Sequence, residues 1–148
     1  MTNPYMTLAL QQARLAMEKG DVPVGAVIVS GNRVISVGHN LREVKNLATA
    51  HAEIAAIEAA CEILGTWRLT DCDLYVTLEP CIMCAGAIIN ARIRSLYFGA
   101  FDPKAGACGS VTDVFRLHQL NHQVTVYSGI MEDACSALLK EFFLKKRM

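Results

Sequence analysis

The sequence predicts an α/β protein with three layers, α/β/α, around a five-stranded mixed sheet. Helical and strand patterns alternate along the chain, and no repeat or linker interrupts them. One strand–helix–strand unit is so short that its two strands should run parallel. The 148 residues, 53% of them hydrophobic, suffice for one core. We therefore expect residues 1–148 to form a single domain.

The first third of the chain predicts a helix and a hairpin. Asn3 suits the N-cap and Pro4 the first position of a helix over residues 4–19, whose apolar side chains recur on one face. Gly20 can end this helix in the left-handed conformation. Two strands, 24–29 and 33–37, follow, and the segment 30–32 between them (Ser-Gly-Asn) is a hairpin signal.

The rest of the chain is predicted to supply three more strands of the sheet and three more helices. We predict helices and strands with these bounds: helix 50–64, strand 74–78, helix 81–91, strand 95–98, strand 124–127 and helix 131–146. The helix over 81–91 is apolar nearly all round, which predicts that it is buried. It should form a right-handed parallel crossover between its flanking strands. The last helix begins with acidic and ends with basic side chains, as the helix dipole favours.

Composition and charge exclude several classes of protein. Lys+Arg and Asp+Glu number 14 each, so any binding to nucleic acid must use a local patch rather than bulk charge. The longest apolar run, residues 82–89, is far shorter than the ~20 residues of a membrane span. The N-terminus lacks the basic and apolar regions of a signal peptide. We therefore expect a cytoplasmic protein without a membrane partner.

Two short segments carry the chemistry, His-x-Glu at 51–53 and Pro-Cys-x-x-Cys at 80–84. Side chains in the first turn of a helix lean toward its N-terminus, so His51 and Glu53 can reach a point beyond the helix end. Cys81 and Cys84 share one face of another helix. If the two N-termini converge, His51, Cys81 and Cys84 form the ligand set of a catalytic zinc ion, one per subunit, with an open fourth position.

Glu53 has a different predicted role. It would not bind the metal, but would take a proton from water and return it to the substrate, which makes it the candidate catalytic residue. Two other interpretations of the motif stay open, a structural zinc ion and a redox pair at Cys81 and Cys84. A redox pair, however, gives His51 and Glu53 no role.

From this signature outward, the chain resembles the bacterial tRNA-specific adenosine deaminases, members of the cytidine-deaminase-like superfamily. The zinc motif is common to that superfamily, whereas the run TLEPCIMCAGA and the loop FGAFDPKAGACGS are more specific. Ala48 is a departure, because the family often has proline there. The matching segments are 21–27, 38–40, 49–54, 74–87 and 98–110.

The resemblance implies a cytidine-deaminase-like fold and hydrolysis of adenosine to inosine at the wobble position (34) of a tRNA anticodon. A zinc-bound hydroxide would attack C6 of adenine, and Glu53 would protonate the ring nitrogen beside it and then the departing ammonia. By position, Asn40 would hydrogen-bond the purine, and Asp102 and Lys104 would contact the RNA beside the flipped base. The resemblance also implies a homodimer that binds the anticodon stem-loop across both subunits.

Two further functions stay open from the sequence. A free-base or nucleoside deaminase acting on guanine or cytidine would share the four-residue motif, although the residues before Pro80 and the long loop at 98–110 favour the tRNA enzyme. A non-catalytic, zinc-stabilised partner subunit would have no need of Glu53.

Several other residues are expected to have structural roles. Trp67 should lie in the core or at the dimer contact, and Phe142 and Phe143 should pack the last helix, although one could flank a base. The cations of residues 139–148 make the tail locally positive, either as a solvated helix end or as an RNA contact.

Overall fold

The computed structural model describes residues 2–147. Over this range the chain forms five strands, five α-helices and a short 3₁₀ helix. The strands are Gly25–Ser30 (β1), Arg33–His39 (β2), Cys72–Leu78 (β3), Ser95–Ala100 (β4) and Thr125–Tyr127 (β5). The helices are Pro4–Glu18 (α1), Arg42–Lys45 (α2), Ala52–Leu64 (α3), Ile82–Asn90 (α4) and Glu132–Lys146 (α5), and the 3₁₀ helix is Val114–Arg116.

All five strands belong to one mixed sheet in the order β2-β1-β3-β4-β5. β1 pairs antiparallel with β2 and with β3, whereas β3, β4 and β5 run parallel. The predicted mixed sheet and the parallel pairing across the β3–α4–β4 unit are thus confirmed.

Alternate residues of the central strands point into two separate cores. Ala26 and Ile28 of β1 pack in one cluster with side chains of α3 and α4. Val27 and Val29 pack in the other, with Met6 of α1 and with α5. Since neighbouring side chains of a strand face opposite sides of a sheet, the helices cover both faces. The predicted three-layer architecture is therefore confirmed.

The two helices of the motif start later than predicted. His51 and Cys81 have extended backbones, with φ/ψ of −89°/154° and −75°/177°, so each is the N-cap residue and α3 and α4 begin at Ala52 and Ile82. At most of the strand ends, the observed bound differs from the predicted one by one or two residues. Helix α2 and the 3₁₀ helix were not predicted, because one turn is too short to show a periodic pattern.

Two predictions about burial were wrong in part. One face of α4 is buried, but Ile82 is 68% exposed at its first turn. Trp67 is 52% exposed and lies in the loop after α3, so its placement in the core was wrong, whereas its placement at a dimer contact stays a prediction. The guanidinium groups of Arg68 and Arg92 lie 4.7 and 5.5 Å from its ring, and such cation–π contacts suit an aromatic ring at the surface.

The predicted beginning and end of the first helix are confirmed. Asn3 Oδ1 accepts hydrogen bonds of 3.0 Å from the backbone N–H groups of Tyr5 and Met6, and Gly20 has φ +82°. Across residues 2–147, no helix has both the length and the apolar character needed to cross a bilayer.

Candidate active site

Helix α3 presents His51 and Glu53 at its N-terminus and is held tightly against β2. A Cβ on Gly38 would come within 2.8 Å of the backbone N of Ala56, so the helix lies directly on this strand. The hydroxyl of Ser36 donates to the carbonyl of Ala56 over 2.7 Å. Contacts with a buried strand therefore fix the position of the helix end.

Helix α4 brings the two cysteines to the same place. The chain leaves β3 at Leu78, passes Pro80, and reaches Cys81 at the N-cap and Cys84 in the first turn. Cys84 is fully buried, whereas Cys81 is partly exposed to the cavity. The parallel β3–α4–β4 unit thus points the N-terminus of α4 toward that of α3.

The candidate ligand atoms meet in the arrangement that the spacing of the motif predicts. His51 Nδ1 lies 3.6 Å from Cys81 Sγ and 3.5 Å from Cys84 Sγ, and the three ligand atoms all lie within 4.8 Å of one another. Tetrahedral zinc, with Zn–S near 2.3 Å and Zn–N near 2.0 Å, needs S–N separations of about 3.5 Å. One nitrogen and two sulfurs at this spacing fit a tetrahedral metal site that lacks one protein ligand.

The three groups also perturb one another's proton affinity. The thiol of Cys84 donates to Cys81, and with the imidazole of His51 this lowers the pKa of Cys81 to about 3, against the opposing effect of burial. The pKa of Cys84 is raised, mainly by the same contact with Cys81 and secondly by burial of the thiol. The two sulfurs lie close enough for the ionisation of one to affect the other, and a divalent cation between them would favour the thiolate form of both.

Glu53 lies in the first turn of α3 and is only 3% exposed. Burial raises the pKa of its carboxyl to about 7, although the hydrogen bond from its backbone and the nearby His51 oppose this shift. The carboxyl also lines the same cavity as His51 and Cys81. A carboxyl with a pKa near neutrality can both accept and return a proton at physiological pH.

Asn40 follows β2 and lies beside the start of α3. Its Oδ1 accepts a 2.9 Å hydrogen bond from the backbone N–H of Ala52, and its side chain lines the cavity. Because the carboxamide oxygen is engaged with the helix, the amide NH₂ is left to donate to a ligand.

The cavity above these groups has a volume of about 750 Å³. A further part of its lining, which we call the outer wall, consists of Arg42 of α2, residues 101–105, and residues between 139 and 147 in α5 and at its C-cap. Four exposed cations line the cavity: Arg42, Lys104, Lys140 and Arg147. Phe143 lines it as well and is 47% exposed, whereas Phe142 is buried against the core, so only Phe142 packs as predicted.

Asp102 and Lys104 lie in the outer wall, at the start of the loop that follows β4. Asp102 Oδ1 accepts hydrogen bonds from the backbone N–H groups of Lys104 and Ala105, at 3.0 and 3.2 Å. The carboxylate of Asp102 therefore stabilises the turn, and the Lys104 side chain is exposed.

Glu79 contributes to the site in a way that was not predicted from the sequence. It lies between β3 and Cys81, is 2% exposed, and accepts hydrogen bonds from the loop of residues 101–110. Burial opposes ionisation, but the Ser110 hydroxyl and three backbone N–H groups outweigh it and hold the pKa of Glu79 below its ordinary value. The only feature of the sequence that could have indicated this role is a carboxylate that directly follows a mostly apolar strand and precedes Pro80.

Asp21 has a similar role on the other side of the cavity and was also missed. Its side chain is fully buried, and its two oxygens accept hydrogen bonds from the backbone N–H groups of Val22 (2.9 Å) and Glu43 (2.8 Å). The second bond holds the first turn of α2, which carries Arg42. A polar residue after Gly20 reads as an ordinary turn residue, so its sequence context gave no signal.

The chain matches known deaminases over nearly its full length. Residues 2–147 match the family model of the MafB19-like deaminases. A tRNA-specific adenosine deaminase of Agrobacterium fabrum is 51% identical over 144 residues, which is 97% of this chain and 95% of the relative.

Solved structures agree with this relationship. A structure from studies of A-to-I editing by tRNA:A34 deaminases at the wobble position has a TM-score of 0.87 and 51% identity, over 90% of this chain and 97% of that one. A guanine deaminase of Nitrosomonas europaea is more distant, with a TM-score of 0.79 and 28% identity over 96% of this chain and 85% of its own. The chain therefore belongs to the MafB19-like deaminase family and is a member of the tRNA-specific adenosine deaminases.

Proposed function

We propose that the chain hydrolyses adenosine to inosine at position 34, the wobble position, of a tRNA anticodon. The observation that carries this proposal is the meeting of His51, Cys81 and Cys84 beside the buried carboxyl of Glu53, at the base of a cavity with a basic rim. Membership of the family supports the choice of adenosine in tRNA as the substrate.

His51, Cys81 and Cys84 would hold one zinc ion per subunit. Two thiolates balance the charge of Zn²⁺, and the donor set and S–N distances suit this metal. When bound, zinc supplies Lewis acidity, which makes water acidic enough to react near neutral pH.

Glu53 is the proposed proton carrier. Its carboxylate takes a proton from the attacking water and delivers one to the adenine ring nitrogen beside C6, and a second transfer lets the amino group leave as ammonia. The C6–O bond forms and the C6–N bond breaks, so adenosine and water give inosine and ammonia. Burial of Glu53 suits this role, because both protonation states must be accessible near neutral pH.

The rest of the cavity would bind the RNA. Asn40 would donate its amide NH₂ to an acceptor of the purine, and Asp102 and Lys104, which line the same cavity, would contact the RNA beside the flipped base. Single-stranded loops are read mostly through their bases, so a few cations suffice for the phosphates.

The proposed function also bears on the domain organisation, the cellular location and the oligomeric state of the chain. We propose that residues 1–148 form one zinc-dependent deaminase domain, that the chain acts in the cytoplasm on its tRNA, and that it works as a homodimer. Exposed apolar side chains near the site, such as Ile82, support the last point.

The test uses an anticodon stem-loop RNA with adenosine at the wobble position, together with metal analysis. We expect about one zinc per chain and conversion of this adenosine to inosine. Glu53→Gln should keep the zinc and lower kcat by about 10²- to 10⁴-fold, because only proton transfer is removed.

Two outcomes would contradict the proposal. Metal content near zero after gentle purification would remove its basis. If the stem-loop is untouched while free guanine or cytidine is deaminated, the chain is a free-base or nucleoside deaminase instead.

A further inference from the structure

The carboxylate of Glu79 is buried directly beneath the loop of residues 101–110. Its Oε1 accepts a 3.0 Å hydrogen bond from the backbone N–H of Asp102 and another from the Ser110 hydroxyl. Its Oε2 accepts from the backbone N–H groups of Cys108 (3.0 Å) and Ser110 (3.1 Å). Within residues 2–147 no basic side chain forms an ion pair with it. The loop itself therefore provides all of these partners.

The loop also passes too close to Glu79 to admit a side chain at the crossing point. A Cβ on Gly106 would overlap the carboxyl carbon and both oxygens of Glu79. The backbone N–H of Gly106 donates to the carbonyl of Asp102 over 2.9 Å. The loop is thus folded around the carboxylate, which binds backbone N–H groups from Asp102 to Ser110.

Glu79 connects this loop to the turn that carries the first cysteine. Only Pro80 separates it from Cys81, and the carbonyl of Pro80 accepts a 2.8 Å hydrogen bond from the backbone N–H of Ala107. The backbone N–H of Glu79 donates to the carbonyl of Ala100, over 2.8 Å, at the end of β4. A shift of the loop would therefore move Asp102 and Lys104 relative to the reacting centre.

We propose that Glu79 is a positioning residue for deamination, whose carboxylate holds residues 102–110 in the conformation that receives the RNA beside the target base. This inference rests on the proposed function. Glu79 lines the cavity but is only 2% exposed, and both of its oxygens are engaged by the loop, so it acts through the loop rather than on the reacting atoms. Its loss should weaken RNA binding more than the chemical step.

The experiment compares Glu79→Gln with the parent chain on the wobble-adenosine stem-loop. Glutamine has the same shape, but its NH₂ must face at least one backbone N–H donor, so the loop loses hydrogen bonds on that side. We expect KM to rise about 10- to 100-fold, kcat to change less than about threefold, and the zinc content to equal that of the parent. A merely structural role would lower the active fraction, seen in kcat and zinc content, and leave KM unchanged.

Ser110→Ala keeps the test decisive if Glu79→Gln does not fold. It removes only the hydroxyl bond to Glu79, and we expect KM to rise about three- to tenfold at unchanged kcat. Ser30→Ala is the matched control, because that hydroxyl donates to the carbonyl of Asp71, away from the cavity, and KM should stay at the parent value.

The outcomes separate this inference from the proposed function. A parent chain that leaves the stem-loop unchanged overturns both. An active parent with unaltered KM in Glu79→Gln, or in Ser110→Ala where the first variant does not fold, overturns the positioning role alone.

Discussion

The proposed metal-binding end of the cavity, formed by His51, Glu53, Cys81 and Cys84 and called the metal end below, and the outer wall are built from different kinds of structure. The metal end consists of two helix N-termini, whose functional side chains lie at the N-cap or in the first turn, and the backbone of α3 rests directly on β2. The outer wall consists of a one-turn helix, a loop and the last turns of α5, and buried carboxylates at Asp21 and Glu79 hold two of these three parts. Core packing thus fixes the reacting groups, while polar contacts shape the surface that meets the substrate.

The largest expected effect comes from breaking the metal end. Cys84→Ser should lose the metal and lower kcat/KM by about 10³-fold or more, because a fully buried ligand is replaced by a weaker one. Metal analysis and deamination of the stem-loop measure both losses. Cys72→Ser is the matched control, since Cys72 is equally buried but lies at the start of β3, and it should keep its metal.

A Cys84→Ser variant with full metal content and activity would show that the third ligand is another group. A loss of metal in Cys72→Ser would show that the effect stems from core packing rather than from ligation.

The next largest effect concerns Asn40, which contacts the start of α3 and lines the cavity. Asn40→Asp can still accept the N–H of Ala52 but has no NH₂ to donate, so we expect an unchanged Tm and a kcat/KM about 10- to 100-fold lower. Asn40→Ala should lose the helix contact too, and its Tm should fall as well. If Asn40→Asp has the kcat/KM of the parent, the residue serves only the start of α3.

The difference between the two regions also explains what could be predicted from the sequence. His51, Glu53, Cys81 and Cys84 could be identified because each pair lies within four residues, and first-turn side chains converge whenever two helix ends do. The place of His51 and Cys81 at the N-caps could not be predicted, because the φ and ψ of a single residue decide it. The three-layer fold followed from alternating periodicities, which reflect burial on the two faces of the sheet.

The assembly of the outer wall could not be predicted from the spacing of residues, because its parts are far apart in the chain. Arg42, Lys104 and Lys140 meet at one cavity only after the sheet has brought α2, the loop after β4 and α5 together. The roles of Asp21 and Glu79 were missed because they depend on backbone N–H groups of distant loops, which carry no residue-type signal.

Alanine substitutions at two glycines test whether packing fixes the position of the metal end. Gly38→Ala would place a methyl group against the backbone of Ala52 and Ala56, so we expect the free energy of unfolding to fall by about 1–3 kcal/mol and the metal to bind less tightly. Gly86→Ala is the control, because a Cβ there has no neighbour within 4 Å and lies inside α4. That variant should be more stable by about 0.5–1 kcal/mol.

Denaturant unfolding of the metal-free and metal-loaded forms measures both variants. Equal stability of Gly38→Ala and the parent would mean that α3 can move away from β2 at no cost. The metal end would then be no more rigid than the outer wall.

The smallest expected effects lie at the basic rim of the outer wall. Lys140→Ala and Arg147→Ala should each raise KM for the stem-loop about two- to tenfold at low salt, and each should lower the slope of log KM against log salt concentration by about 0.7–1. Lys145→Ala is the control on the same helix, because its ammonium lies 3.7 Å from Glu141 and its side chain does not line the cavity. An equal change in all three variants would mean that α5 attracts RNA only through its overall charge. A change confined to Lys140 and Arg147 would mean that the outer wall contacts phosphates at defined positions, so that its basic side chains position the RNA at the cavity.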